Sequence, residues 1–486
     1  MTKCIYAIGD IHGDIMPLII CLRDCCKVIA KKEGFGFEQD KIDQDLVNLL
    51  SKEWDDKNYK EDLNYEWIGG DANVVFCGDL LDNVRGEIYK KPQEFPFEEA
   101  RILLFINKIN KQAMKQNGRI YKVLGNHDMY NLNGKSKDFY STYVSNYAKK
   151  YPGYKQGADG RLDYFCQGKP GAKLIGEDGA YLFLMIKDFI FVHGGISNSL
   201  LTFSNLKTLN ESLMDFINGK NDYFNIEKDT IEKQMTFNND DEDGLVHDRF
   251  FGFKNKKTED ELCSVLYNKF KRICTDIKNE SIESLDFNKN KFFISQKQYV
   301  CDPNKMKLVV GHCVQNKSID EKDNLFQSSF SKLINENTNK IVFSEEFGAP
   351  VYRGDPSFDK DKNKANEDKA IYGITVSCGI RNNNKIDFNN PSIFRIDVGM
   401  SRGFNTKKYS DEYVYSRTPQ VIKIDYSNDE PVVTIIKSTL KNTLIHLVDM
   451  DVNPYANKYK KYKSKYYLLK KIMDNIMKSE YNGLFV

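Results

Sequence analysis

Five times along this 486-residue chain, a short apolar run ends in a glycine-bearing turn that carries a side chain able to bind a metal. Residues 4–8 run into Gly9-Asp10-Ile11-His12-Gly13, and residues 74–77 into Gly78-Asp79-Leu80-Leu81-Asp82. Residues 120–124 lead to Gly125-Asn126-His127-Asp128, residues 189–192 to His193-Gly194-Gly195, and residues 307–310 to Gly311-His312. Apolar runs of this length bounded by turn signals read as buried strands. Four of the six histidines (His12, His127, His193 and His312) fall at these strand ends. One such histidine is more often a satisfied core residue than a ligand. Five clusters on one plan make that explanation poor.

Asp, His and Asn side chains suit a pair of hard or borderline divalent ions. Two ions about 3.5–4 Å apart need a shared ligand, and a carboxylate can bridge them. A water held between them is acidified to hydroxide and can attack phosphorus in line, while the ions neutralise phosphoryl charge. Strand ends supply rigid positions for such ligands, and glycines let the backbone turn close to the metals.

The rest of the sequence is consistent with a soluble α+β protein. Helical patterns cover residues 16–31, 97–114 and 198–217, and further strands are expected at 370–376, 392–397, 420–425 and 432–437. The last pair, broken by Ser427-Asn428-Asp429, reads as a hairpin. Residues 34–70 and 218–304 read as insertions, the second a Lys-, Asn- and Asp-rich helical insertion or cap. Residues 1–438 are expected to form the catalytic domain, and residues 439–486 a basic Tyr- and Lys-rich helical extension. Lys plus Arg total 71 against 69 Asp plus Glu, so the net charge of +2 gives no strong nucleic-acid signal. The 11 cysteines are scattered without a CxxC pair, which argues against a disulfide framework or zinc ribbon and for a cytoplasmic setting. No apolar run is long enough to span a membrane.

In this order, the five motifs resemble the calcineurin-like metallophosphoesterase superfamily, and within it the phosphoprotein phosphatase branch. That branch includes the protein Ser/Thr phosphatases, the Shewanella-like phosphatases and the diadenosine tetraphosphate hydrolases. The resemblance covers about residues 3–403 and leaves the tail unexplained. It implies a two-sheet β-sandwich flanked by helices, with long insertions and with metals at one edge of strand ends.

Carried over by position, the resemblance implies that Asp10 and His12 hold one metal, Asp79 bridges, and Asn126, His193 and His312 complete the second. It makes His127 the general acid that protonates the leaving oxygen, oriented by Asp82. Two divalent ions are implied, manganese first, with iron or zinc as the other choices. The family has Asp-Arg-Gly after the bridging motif, whereas here Asp82-Asn83-Val84-Arg85-Gly86 displaces the arginine. Arg85 either reaches the substrate phosphate through a looped turn or is a surface charge. Gly244-Leu245-Val246-His247-Asp248-Arg249 resembles the segment that carries a second phosphate-binding arginine, so Arg249 either grips phosphate or pairs with a nearby Asp. His247 is expected to be a neighbour of the site. Residues 394–401 resemble a segment near the end of the bacterial-type members, with Asp397 behind the ligands.

The expected activity is hydrolysis of phosphate monoesters on phosphorylated protein side chains, Ser/Thr or Tyr. The alternative is a dinucleoside polyphosphate or another small phosphorylated metabolite. Less favoured are a nucleic-acid phosphodiesterase and an inactive scaffold, which has no need of a complete ligand set.

Overall fold

A computed structural model describes residues 4–31, 63–82, 98–134, 157–237, 244–248, 250–251, 259–279, 293–294, 299–312, 333–335, 340–342, 375–382, 385–396, 400, 419–427 and 431–438. By contacts the chain divides into two units, Met1–Lys407 with Tyr415–Thr443 and Lys408–Val414 with Leu444–Val486. All described residues belong to the first. The expected helical extension at 439–486 lies outside them.

In chain order the first half contains β1 (Cys4–Ile8), α1 (Ile15–Ile20), β2 (Ile29–Lys31), β3 (Tyr65–Trp67), β4 (Asn73–Cys77), α2 (Glu98–Met114) and β5 (Arg119–Val123). Then come α3 (Asn126–Leu132), α4 (Gly157–Phe165), α5 (Pro170–Gly176), β6 (Phe183–Ile186), β7 (Phe189–Val192) and α6 (Phe203–Ile217). The second half holds α7 (Ile231–Thr236), α8 (Glu259–Asn279), β8 (Phe293–Ile294), β9 (Lys307–Val310), β10 (Leu333–Asn335) and β11 (Lys340–Val342). It ends with β12 (Thr375–Asn382), β13 (Lys385–Arg395), β14 (Gln420–Asp425) and β15 (Val432–Lys437).

Two mixed sheets form the body, one in the order β15-β14-β1-β4-β5 and the other β12-β13-β9-β7-β6-β8. This is the two-sheet sandwich with flanking helices expected from the sequence. Strands β4 and β7 are buried along their whole length, as their unbroken apolar runs require of strands covered on both faces. Strands β1, β4 and β5 are mutually parallel, with Ile8 opposite Phe76 and Cys77 opposite Val123. Their C-terminal ends therefore open on the same edge. In the other sheet β7 and β9 are parallel, with Val192 opposite Val310, so His193 and His312 leave side by side.

The sheets meet at that edge. A Cβ built on Gly311 would stand 1.8 Å from the Cys77 carbonyl oxygen, so only glycine lets β9 approach the end of β4 so closely. On the other side of β4, Val123 bridges to Tyr181 just before β6.

Helix α6 shows how local sequence builds the flanking layer. Thr202 caps it by accepting from the Asn205 N–H at 3.1 Å, and its buried face runs Phe203, Leu206, Leu209, Asn210, Leu213, Phe216 and Ile217. The Asn210 side chain accepts the Leu182 N–H at 2.8 Å and donates to the Phe183 carbonyl at 2.9 Å, locking the helix to β6.

Some expectations shift. The helix read over 16–31 ends early, because a π-turn over Cys21–Cys25 follows α1 and Lys27 then takes a φ of 55°. A left-handed residue reverses the chain, and Ile29–Lys31 pairs with Tyr65–Trp67 as a small ladder instead. Of the strand expected at 370–376, residues 370–374 lie outside the described residues and Thr375–Asn382 is a strand, while the 420–425 and 432–437 hairpin strands stand where the alternation put them. The second insertion holds α7 and α8, but its Phe293–Ile294 strand also extends the sheet beside β6. Contrary to the cysteine reading, Cys274 on α8 is bonded to Cys301, and Cys263 is disulfide-bonded as well. Cytosolic thiols normally keep such bonds reduced, so this feature pulls against the cytoplasmic expectation. Among the described residues, no helix is long and apolar enough to cross a membrane.

Candidate active site

The loops after β1, β4 and β5 are laced together by their backbones. The His12 N–H donates to the Asp79 carbonyl and the Gly13 N–H to the Leu80 carbonyl, each at 2.8 Å. Asp128, from the third loop, accepts the Leu80 and Leu81 N–H groups at 3.0 and 3.1 Å and that of Gly125 at 2.9 Å. Burial, then the charge of Asp79, pushes the Asp128 carboxyl up to about 7, against the pull of those backbone donors. His12, Asp79 and Asp82 all take positive φ, at 41°, 47° and 71°. A non-glycine residue there costs on the order of 1 kcal/mol or more, so the lacing holds a strained arrangement in place.

That arrangement gathers donors from five distant points of the chain. Ligand-capable atoms of Asp10, Asp79, His193 and His312 lie within 4.8 Å of one another, and so do those of His12, Asp79 and His127. Asp79 belongs to both groups. Its Oδ2 is 3.6 Å from His12 Nε2 and 3.8 Å from His127 Nε2, and its Oδ1 is 3.4 Å from His193 Nε2. Asp10 lies 3.6 Å from both His12 Nε2 and His193 Nδ1. Asn126 Oδ1 is 3.0 Å from His193 Nε2. Gly125 makes room for this, since a Cβ there would stand 2.2 Å from Asp79 Oδ1.

The donor set fits divalent ions. His193 Nδ1 lies 2.8 Å from the Cys77 carbonyl, to which it donates, leaving the Nε2 lone pair facing Asp79 and Asn126 oxygens. Acceptors turned on one another in a buried site call for a cation between them. A ring N–H donated to a backbone carbonyl is the usual support of a metal-binding histidine. Burial alone would raise Asp79, yet His193, His127 and His12 outweigh it and hold its carboxyl well below the usual carboxylate range. Burial works against a charged His193, and Asp79 overrides it, raising the imidazole pKa: a proton on Nε2 answers the same demand for positive charge that a cation would.

Beside this cluster His127 Nδ1 meets Asp82 Oδ2 at 2.9 Å, which leaves Nε2 toward Asp79. Asp82 is buried, and burial would raise it, but Arg161, His127 and Asn131 bring its pKa below the ordinary value. Sequence reasoning found neither Arg161, Glu99 nor Asn131. Asn131 carried a signal, since it stands four residues after His127 on α3; Arg161 and Glu99 lie in stretches without a motif. Tyr130 was also missed. Its hydroxyl is 2.5 Å from His247 Nε2, its ring stacks on Phe237, and His247 stacks on His312, which makes His247 the expected neighbour. Asp248 accepts the Ser197 N–H at 2.6 Å and so steadies the turn after His193. Arg85, Arg249 and Asp397 lie outside the described residues.

The family model for calcineurin-like phosphoesterases matches residues 5–273, more than half of the chain and the part that supplies every donor above except His312. The chain belongs to the calcineurin-like phosphoesterase family. Within the matched region the chain carries one of two groups of side chains able to hold a metal ion, and all but His312 of the other. It is 24% identical over 247 residues to Shewanella-like protein phosphatase 2 of Arabidopsis thaliana, covering 44% of this chain and 51% of that protein. It is 29% identical over 142 residues to Shewanella-like protein phosphatase 1 of Plasmodium berghei, covering 29% of this chain and 25% of the relative. The chain thus spans about half the length of the first and a quarter of the second. Among solved structures it is similar to the cold-active protein-tyrosine phosphatase of a psychrophilic Shewanella species, with 15% identity and a TM-score of 0.38, covering 90% of this chain and 81% of that one.

Proposed function

We propose that the chain hydrolyses phosphate monoesters on protein side chains with the help of two divalent ions. The observation that carries this reading is the pair of donor groups joined through Asp79, with His127 and Asp82 beside them. In this reading Asp10, His12 and the shared Asp79 hold one ion, and Asp79, Asn126, His193 and His312 hold the other. Manganese is the ion we assign first. When bound, such ions supply Lewis acidity, lowering the pKa of water and neutralising charge on phosphoryl oxygens.

The chain's own groups do the rest. A water oxygen, having released one proton to solvent, bonds to phosphorus as the ester P–O bond breaks, and His127 Nε2 delivers a proton to the departing oxygen and regains one from solvent. Asp82, bonded to Nδ1, keeps that ring in place and stabilises its protonated form. Arg249 and Arg85 are the candidates to grip the phosphate, where a guanidinium can make two parallel hydrogen bonds. The names of the two relatives support a phosphoprotein substrate. A nucleotide is the alternative substrate, for which the half-buried His247 ring beside His312 is the one partly exposed ring of this group, Tyr130 and Phe237 being buried against each other.

The test is turnover of p-nitrophenyl phosphate by metal-stripped protein before and after Mn²⁺ addition, with Asp79→Asn and His127→Ala alongside. Activity restored by the metal and lost in both variants is expected. Protein that binds two ions yet turns over no monoester refutes the reading. A panel of phosphopeptides and diadenosine tetraphosphate then separates the two substrate classes by kcat/KM.

A further inference from the structure

Arg161 on α4 is buried behind Asp82, on the side away from the metal-donor cluster. Its Nε donates to Asn131 Oδ1 at 2.7 Å, and Nη1 donates to Glu99 Oε2 at 2.5 Å. Nη2 donates to both Asp82 Oδ1 at 2.5 Å and Glu99 Oε1 at 2.9 Å. The guanidinium also lies 5.0 Å from the centre of the Phe165 ring. With Oδ1 taken, Asp82 turns Oδ2 to His127 Nδ1. Glu99 Oε1 accepts the Asp82 N–H at 2.6 Å, gripping the backbone of a residue held at positive φ. Asn131 donates to both Asp82 oxygens and to the His127 carbonyl, at 3.1, 3.2 and 2.8 Å.

Three helices thus fix one carboxylate, through Glu99 on α2, Asn131 on α3 and Arg161 on α4. Among the described residues, two carboxylates stand against one guanidinium. Only a planar fork can reach Asp82, Glu99 and Asn131 together, so lysine is a poor substitute here. Buried charges of this kind are strongly coupled, and removing one leaves the others uncompensated.

We propose that Arg161 is a positioning residue for His127, clamping Asp82 together with Glu99 so that the imidazole presents Nε2 to the reacting centre. This rests on reading His127 as the general acid. The experiment compares Mn²⁺-loaded full-length wild type, Arg161→Lys, Arg161→Met and the charge-matched Arg161→Met/Glu99→Gln on phenyl phosphate and 2,4-dinitrophenyl phosphate. Phenolate leaves poorly and needs the proton; dinitrophenolate does not. The Met variants should lose about 10- to 100-fold in kcat on phenyl phosphate and less than about 3-fold on the dinitrophenyl ester, with KM unchanged. Combined with His127→Ala, they should lose no more than His127→Ala does alone, since residues acting as a unit are non-additive.

A second readout does not depend on turnover. The downfield proton resonance of the His127 ring N–H, recorded on Zn²⁺-loaded protein because Mn²⁺ broadens it away and assigned by its loss in His127→Ala, should vanish or move in the Arg161 variants. If Arg161→Met does not fold, the charge-matched double variant carries both measurements. An equal loss on both esters, or an unchanged resonance, overturns the clamp. Wild-type protein inactive on both esters sinks the phosphatase reading instead, and the resonance then decides the clamp by itself.

Discussion

Lys122 lies on β5 only a few residues before Asn126 and His127, and it is fully buried. Its ammonium donates to Asn107 Oδ1 at 2.8 Å, to the Glu177 carbonyl at 2.7 Å and to the Leu174 carbonyl at 3.3 Å. Three acceptors match the three protons of the charged form, whereas burial favours the neutral amine. Burial wins in part, bringing the pKa from 10.5 down to about 7. The folded state therefore binds fewer protons than the unfolded chain between pH 7 and 10.5. The cost of burying the charge is fully present below pH 7 and is relieved as pH rises toward the unfolded value. At roughly 1.36 kcal/mol per pH unit, the whole gap is worth about 5 kcal/mol, of which about 2 kcal/mol is recovered between pH 7 and 9.

Lys122→Met removes this titration and leaves the three acceptors without their donor, each lost bond costing about 1–3 kcal/mol. The variant should therefore be less stable than wild type, by about 2 kcal/mol more at pH 9 than at pH 7. Urea unfolding of both metal-free proteins at pH 7, 8 and 9 measures this, and differencing cancels every other group. A penalty that stays constant over that range within about 0.5 kcal/mol would refute the reasoning, because the lysine would then carry the same charge folded and unfolded.

Gly125→Ala places a Cβ 2.2 Å from Asp79 Oδ1 although its backbone is permitted, so all of its effect is contact. It should cost about 1–3 kcal/mol in stability and reduce bound metal measured by elemental analysis; a fully loaded variant would count against Asp79 as the shared ligand. Cys274→Ser opens a bridge with a sequence separation of 27 and should cost about 3–4 kcal/mol. Dithiothreitol should lower the wild-type Tm in the same way and leave the variant less affected. Thr202→Ala removes the α6 cap and should cost about 1 kcal/mol by the same denaturation assay, with turnover unchanged.

Much of the candidate site was legible because its residues obey a local rule. Asp10, Asp79, Asn126, His193 and His312 each stand within three residues of a strand end, and a strand of four or five apolar residues announces itself. The helix over 16–31 misled because apolar periodicity continued past Cys21 while Lys27 turned the chain, and a single left-handed residue has no compositional signature when it is not glycine. The disulfide was invisible for another reason. Cys274 and Cys301 share no short spacing, and only the packing of α8 against the approach to β9 brings them together. The support behind His127 escaped because Glu99 and Arg161 meet through the tertiary fold alone, and a buried ion pair leaves no periodic mark on either helix.

The lacing of the first three loops, with His12 bonded to Asp79 and Asp128 to Leu80, has a kinetic corollary. Its partners on different loops are separated by dozens of residues, and the fourth and fifth donors arrive only once both sheets stand edge to edge. Contacts this distant along the chain are slow to close. The metal pocket should therefore be among the last parts of the molecule to form during refolding. Mn²⁺ uptake after dilution from urea should lag behind recovery of the far-ultraviolet signal, which makes the ion a timer for final assembly rather than its nucleus.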